Sequence, residues 1–199
     1  MNKKYELTDE TKVIGDTTLH RIRALMDISR YGVRAGDIGG WIEAESNLSQ
    51  DDDAWVSGNA RVYGNARVYG DALVSGNARV SGNALVYGNA RVSGNALVSG
   101  NARVGDNALV SDNASVCGNA IVDKEAGYMT FKNTWSSGRW FTYTRSNKMW
   151  KVGCFYGSGE ELIKKAYADS EISGKCYEAI VRAVETIEAA QAEAKGAIK

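Results

Sequence analysis

The chain carries no net charge: 24 Lys and Arg stand against 24 Asp and Glu in 199 residues. A protein that coats nucleic acid needs a basic excess, so bulk nucleic-acid binding is excluded. The three cysteines, Cys117, Cys154 and Cys176, lie far apart and form no C-x-x-C pair. That excludes a secreted disulfide scaffold and leaves no cysteine metal site. There is no proline, and no apolar run approaches the length of a membrane span. No charged-then-apolar leader opens the chain. The expectation is a soluble cytoplasmic protein with no membrane partner. One histidine, His20, is the whole imidazole inventory. No phosphate-binding G-x-x-x-x-G-K-[ST] loop occurs, and no histidine neighbours a cysteine that needs a base. Cys154, in the run VGCF, reads as a small buried residue. No catalytic residue, metal or cofactor is expected.

What is present is a repeat of six. Alanine recurs at every sixth position from Ala54 to Ala126, and valine follows two places later from Val56 to Val122. The unit Ala-x-Val-x-Gly-Asn fills twelve registers between Ala54 and Glu125. Residues two apart share one face of a strand, so Ala and Val point inward together. Gly-Asn or Gly-Asp then bends the chain where positive φ is needed. Short strands joined by sharp corners make the sides of a solenoid.

Grouping the units by 18 residues, three to a coil, sorts the outward residues into columns. The first face carries Trp55, Leu73, Arg91 and Leu109. The second carries Arg61, Arg79, Leu97 and Ser115, and the third Arg67, Leu85, Arg103 and Ile121. Arg and Leu alternate unit by unit for much of the array, so Arg mostly lies beside Leu in the next coil; only Arg61 and Arg79 stack directly. Trp55, Leu73, Arg91 and Leu109 are the candidate residues of an oligomer interface, because they put apolar groups on one outer side. Asn59, Asn77, Asn95 and Asn113 form one corner ladder, and Asn65, Asn83, Asn101 and Asn119 another. No threonine occurs in the repeats, which removes an ice-binding array.

Six-residue units with a small residue two before an aliphatic one resemble the hexapeptide-repeat left-handed β-helix. The segments TLHRIRAL and GDIGGWIEAESNLS, followed by the repeats, resemble the opening of many phage- and prophage-encoded proteins of that kind, which carry acyltransferase-like or polymer-forming labels. The resemblance implies a left-handed parallel β-helix of about four to five coils and a homo-oligomer, with a trimer favoured. It also implies a rival activity, transfer of an acyl group from acyl-CoA. Such enzymes use a histidine as general base. Here His20 lies ahead of the repeats, so the enzyme reading is the weaker one. Relatives that hold zinc need three histidine ligands, which one histidine excludes.

The expected architecture is mainly β, with residues 1–40 as an N-terminal β cap, 41–126 as the β-helix and 127–199 as a small α+β domain. Ile42 and Leu48 extend the six-spacing backwards as an imperfect first coil. Lys4–Leu7, Lys12–Ile14 and Thr18–Met26 read as short strands, and a cap is needed because a solenoid end exposes unpaired strand edges. After Ala126 the composition changes: 11 of 18 aromatic residues fall between Tyr128 and Tyr177. Tyr128–Lys132, Arg139–Arg145 and Met149–Phe155 read as strands. Ser158 and Glu161 fit a capping box opening a helix to about Ala168. A second helix carries Tyr177, Ile180, Val181, Val184 and Ile187, with its tail from Ala189 frayed. Segment 126–199 holds 11 basic and 8 acidic residues, a net of +3. Arg139, Trp140, Arg145, Lys148, Trp150 and Lys151 are the candidate ligand-binding residues, since Arg beside aromatics stacks on bases and binds phosphates. The functional expectation is a non-catalytic, phage-type binding or scaffold protein. It would capture a host protein, or sequester a small nucleotide-like anion, in the bacterial cytoplasm, countering host defence.

Overall fold

The computed structural model describes residues 3–196. Its body is a three-sided parallel β-solenoid of about five turns. Twelve two-residue strands, β4 (Trp55–Val56) to β15 (Ile121–Val122), recur every six residues and pair in parallel with the strand 18 residues on. Every alanine from Ala54 to Ala120 and every valine from Val56 to Val122 is at most 1% exposed. Alternation thus seats the small and the branched residue side by side in a narrow interior. The corners take φ near +65°, and the chain is packed so closely there that a Cβ on Gly94 would lie 2.8 Å from the Asp112 nitrogen. Asp106 and Asp112 hold two such corners in place of glycine, with φ of 50° and 57°; short polar side chains tolerate this conformation best.

Each coil donates its N–H groups to the carbonyls of the next: Arg61 to Ala78 and Leu73 to Ala90, both at 2.9 Å. The rod is therefore polar end to end. Its first coil presents carbonyls without donors, and its last coil presents N–H groups without acceptors. Asparagine ladders run along two corners, with Asn65 donating to Asn83 at 3.1 Å and Asn83 to Asn101 at 3.0 Å. At the third corner Asp71 interrupts the amides, and Arg30 reaches in to pair with Asp71 and Asn89.

The leading segment closes the acceptor end. Strands β1 (Tyr5–Ile14) and β2 (Thr17–Ala24) form a hairpin, and β2 pairs antiparallel with β3 (Ile38–Ile42). β3 then runs parallel to the rod, with Ile42 beside Val62. Ile42 and Leu48 are buried, Leu48 bridging to Val68. The sequence splits β1 into two pieces; the structure has one strand of ten residues with an irregularity between Leu7 and Thr11. A bulge absorbs the poor strand formers Asp9 and Glu10 at an exposed edge. Lys4 Nζ donates to the carbonyls of Asp51, Asp52 and Ala54, and the Tyr5 hydroxyl to Leu48.

The trailing segment closes the donor end. Strands β16 (Tyr128–Lys132), β17 (Trp140–Thr144), β18 (Met149–Val152) and β19 (Phe155–Gly157) form an antiparallel sheet. One face packs Phe141, Tyr143, Trp150 and Val152 against helices α1 (Gly159–Asp169) and α2 (Glu171–Gly196). The other meets the rod. Thr142 Oγ1 accepts from Ser115 N at 2.9 Å, and Ser146 Oγ from Ile121 N at 2.7 Å. The expected strand 149–155 is two strands, because Gly153 at φ 56° reverses the chain. That turn leaves Cys154 exposed, not buried. Ser158 and Glu161 form the capping box their spacing predicts. The tail expected to fray, Ala189 to Lys199, is helical to Gly196, and 197–199 lie outside the described residues.

Thr142 is 1% exposed. Replacing it by valine keeps its shape and leaves the Ser115 N–H without an acceptor. The expected loss is about 1–3 kcal/mol of unfolding free energy by urea titration, with faster amide exchange at Ser115. Unchanged stability and protection would mean the cap does not serve that donor.

Candidate functional site on the rod faces

The candidate residues of the C-terminal sheet do not converge. Strand register puts Phe141, Tyr143 and Trp150 on the helix side and Thr142, Thr144 and Lys151 on the other. Trp150 is 2% exposed, its ring 5.1 Å from Tyr143 and 6.5 Å from Phe141. It is a core residue, its ring covered by its neighbours. Arg145 is tied to Glu188 at 2.5 Å and to Gln191 at 2.6 Å. Trp140 is half-buried under Lys132 Nζ, 5.8 Å from its ring centre. Lys148 is exposed in the hairpin turn at φ 54°. Arg139 is exposed and lines, with Lys165, Asp169 and Tyr177, a void of only about 20 Å³. The spacing along one hairpin suggested a cluster, but alternation sends neighbouring residues to opposite faces.

The oligomer candidates fare unevenly. Trp55 is 1% exposed, covered by the N-terminal hairpin, with the Tyr5 ring edge-on at 6.4 Å. It offers no outer surface. Leu73 is half-buried and packs, like Tyr31 and Val33, against the rod core. Arg91 is exposed and Leu109 half-exposed; with Arg30 and Asn89 they line an open groove of about 430 Å³. The chain's own leading segment thus covers the Trp55 end of the apolar column that its sequence suggested for a partner.

The second and third faces are less covered. On the third, Tyr69 and Tyr87 stack at 5.5 Å, and Arg67 lies 5.9 Å from the Tyr69 ring. Tyr87 folds over Gly105, where a Cβ would meet its ring at 2.2 Å. Arg67 and Arg103 are exposed, as is Ile121 at 47%. On the second face the column continues upward through Trp41 on β3 and Arg21 on β2. Sequence reading missed these two, because they precede the regular repeat. Among the described residues, Arg61, Arg67, Arg79, Arg91 and Arg103 make no ion pair with a carboxylate. His20, the rival general base, is half-buried on β2 opposite Thr11 and Ile42, with no carboxylate partner among the described residues. The described residues contain no cluster of metal-ligating side chains and no helix long and apolar enough to cross a membrane.

Six overlapping stretches, residues 54–70, 60–76, 66–80, 78–91, 90–106 and 102–118, match the family model described as YdcK Beta solenoid repeat. They lie wholly within the rod, so the likeness concerns the repeat and not the two ends. No curated protein matches the chain.

Proposed function

We propose that the chain is a non-catalytic binding scaffold that holds an anionic partner, a protein with an acidic surface, against the outer faces of its rod. The observation that carries this reading is the set of five rod arginines without carboxylate partners among the described residues. Arg21, Arg34 and Arg139 are likewise unpaired among the described residues, so it is their regular spacing that sets the five apart. Here they are spaced by whole repeats on a backbone whose coils are hydrogen-bonded throughout, so their relative positions are fixed. Because the backbone spacing is already set, docking on carboxylates orders only the side chains and no backbone. A solenoid offers an extended face of this kind without moving parts. The resemblance of its opening segments supports a phage-type protein acting in a bacterial cytoplasm against a host component. The same resemblance favours a homo-oligomer, for which Arg91 and Leu109 remain the accessible part of the first face.

Native mass spectrometry of gently purified protein tests this directly. A discrete co-purifying protein, released by high salt, is the expected result. Reversing Arg67, Arg91 and Arg103 to glutamate is expected to abolish that mass while shifting unfolding free energy by no more than about 0.5 kcal/mol per site. Retention of the same partner by the reversed variant would overturn the reading.

A further inference from the structure

The arginine pattern has one exception. The first column holds a single arginine, Arg91, and on the third Leu85 separates Arg67 from Arg103, which keeps those like charges two coils apart. On the second face Arg61 and Arg79 pair directly in parallel register. Like charges opposite one another on a sheet are destabilising, and here no carboxylate relieves them. Glu43, on the neighbouring chain segment, makes no ion pair with either; its Oε2 accepts from the Gly64 N–H at 2.6 Å.

The same row continues toward the N-terminal end. Trp41 is the register partner of Arg61, and Arg21 that of Trp41. Arg21 lies 4.9 Å from the Trp41 ring centre and Lys12 Nζ 5.6 Å from it. Trp41 is only 6% exposed, yet its Nε1 has no hydrogen-bond acceptor, and neither has Arg21 Nε. Buried donors normally have partners. One stretch of sheet therefore collects four cations and two unsatisfied donors, and among the described residues none of the four is paired with a carboxylate. Tyr63 and Ser81 follow Arg61 and Arg79 on the same outer side, half-exposed, and add two hydroxyls. Apart from those two hydroxyls, which also accept, the side chains of the row named here only donate.

We infer that this row is a binding site for a tetrahedral oxyanion, a phosphoryl group held between Arg61 and Arg79, with Arg21 flanking it. This rests on the reading of the rod as a binding surface and names the chemistry of one part of it. Strands of a sheet lie about 4.8 Å apart, so two stacked guanidinium groups straddle one phosphate. Each guanidinium presents paired N–H donors that match two phosphate oxygens. The anion neutralises the repulsion that the bare pair carries. Inorganic phosphate and the phosphate of a nucleotide share this chemistry.

Phosphorus NMR titration of the full chain with inorganic phosphate, and separately with adenosine monophosphate, tests the inference at constant ionic strength. Saturable binding is expected, weakened at least tenfold in Arg61→Gln and in Arg79→Gln. Arg103→Gln, on another face, is expected to bind as the parent does. Tighter binding of the nucleotide assigns the phosphoryl group to a nucleotide ligand; equal affinities assign it to free phosphate. No saturable binding, or an equal loss in Arg103→Gln, would refute the site. Partner capture in the glutamate variants is read independently, since those substitutions leave Arg61 and Arg79 in place.

Discussion

Replacing Val86 by aspartate is expected to unfold the rod. Val86 has no exposed surface and stacks between Val68 and Val104 in the interior column. Removing the valine forfeits about 1.5–3 kcal/mol of burial. The carboxylate then sits where no donor faces it, which adds several kcal/mol or forces it to take up a proton. A loss of about 5 kcal/mol or more equals the whole stability of a marginal domain. In a solenoid each coil contacts only its neighbours, so a broken middle coil separates the two ends instead of being outvoted. The control is one residue away. Leu85 points outward and is half-exposed, so Leu85→Asp is expected to cost no more than about 1 kcal/mol. Circular dichroism melts of both variants decide the matter. Equal melting of the two would contradict the inward placement of valine.

The contrast between those two positions shows what the sequence states openly. A period of six with Ala and Val two apart fixes the inward and outward sets, the corners and the stacking of residues 18 apart, because all three follow from geometry that repeats. The capping box at Ser158 and Glu161 is equally legible, being local. What periodicity leaves out is coverage. Trp55 occupies an outward register like Leu73, and nothing in the repeat says that β1 and β2 fold over it. Trp41 and Arg21 join the second face because β2 and β3 extend that sheet beyond the repeat, a pairing set by tertiary contact. Likewise Met149–Phe155 reads as one strand until Gly153 takes a positive φ. The basic pair Arg61 and Arg79 is visible in the sequence, whereas the unsatisfied donors beside it are not.

The end of the rod supplies the second large effect. Parallel stacking leaves the first coil with carbonyls aimed at nothing, and Lys4 answers three of them at 2.9–3.1 Å while only 3% exposed. Lys4→Met keeps most of the aliphatic stem and removes every donor. The expected loss is about 3–5 kcal/mol, the cost of several buried acceptors left unpaired. An uncovered strand edge also invites association between chains. The lysine should announce itself in the pH dependence as well. Burial pulls its ammonium down to about 8, against the upward pull of Asp52, Asp53 and Asp51. The unfolded chain keeps that proton up to about pH 10.5. Between these values the unfolded state binds more protons than the folded one, so stability rises with pH across that window. Above pH 10 the trend reverses. Burial and Glu45 push the Tyr5 phenol up, and burial does the same to Tyr143 and Tyr156. The unfolded chain then ionises tyrosines that the folded chain keeps neutral. Urea midpoints measured from pH 6.5 to 10.5 are expected to pass through a maximum between pH 8 and 10. Lys4→Met should lose the rising limb and keep the falling one. A rising limb that survives the substitution would place its origin elsewhere, and a parent protein that weakens steadily from pH 8 would contradict the buried ammonium altogether.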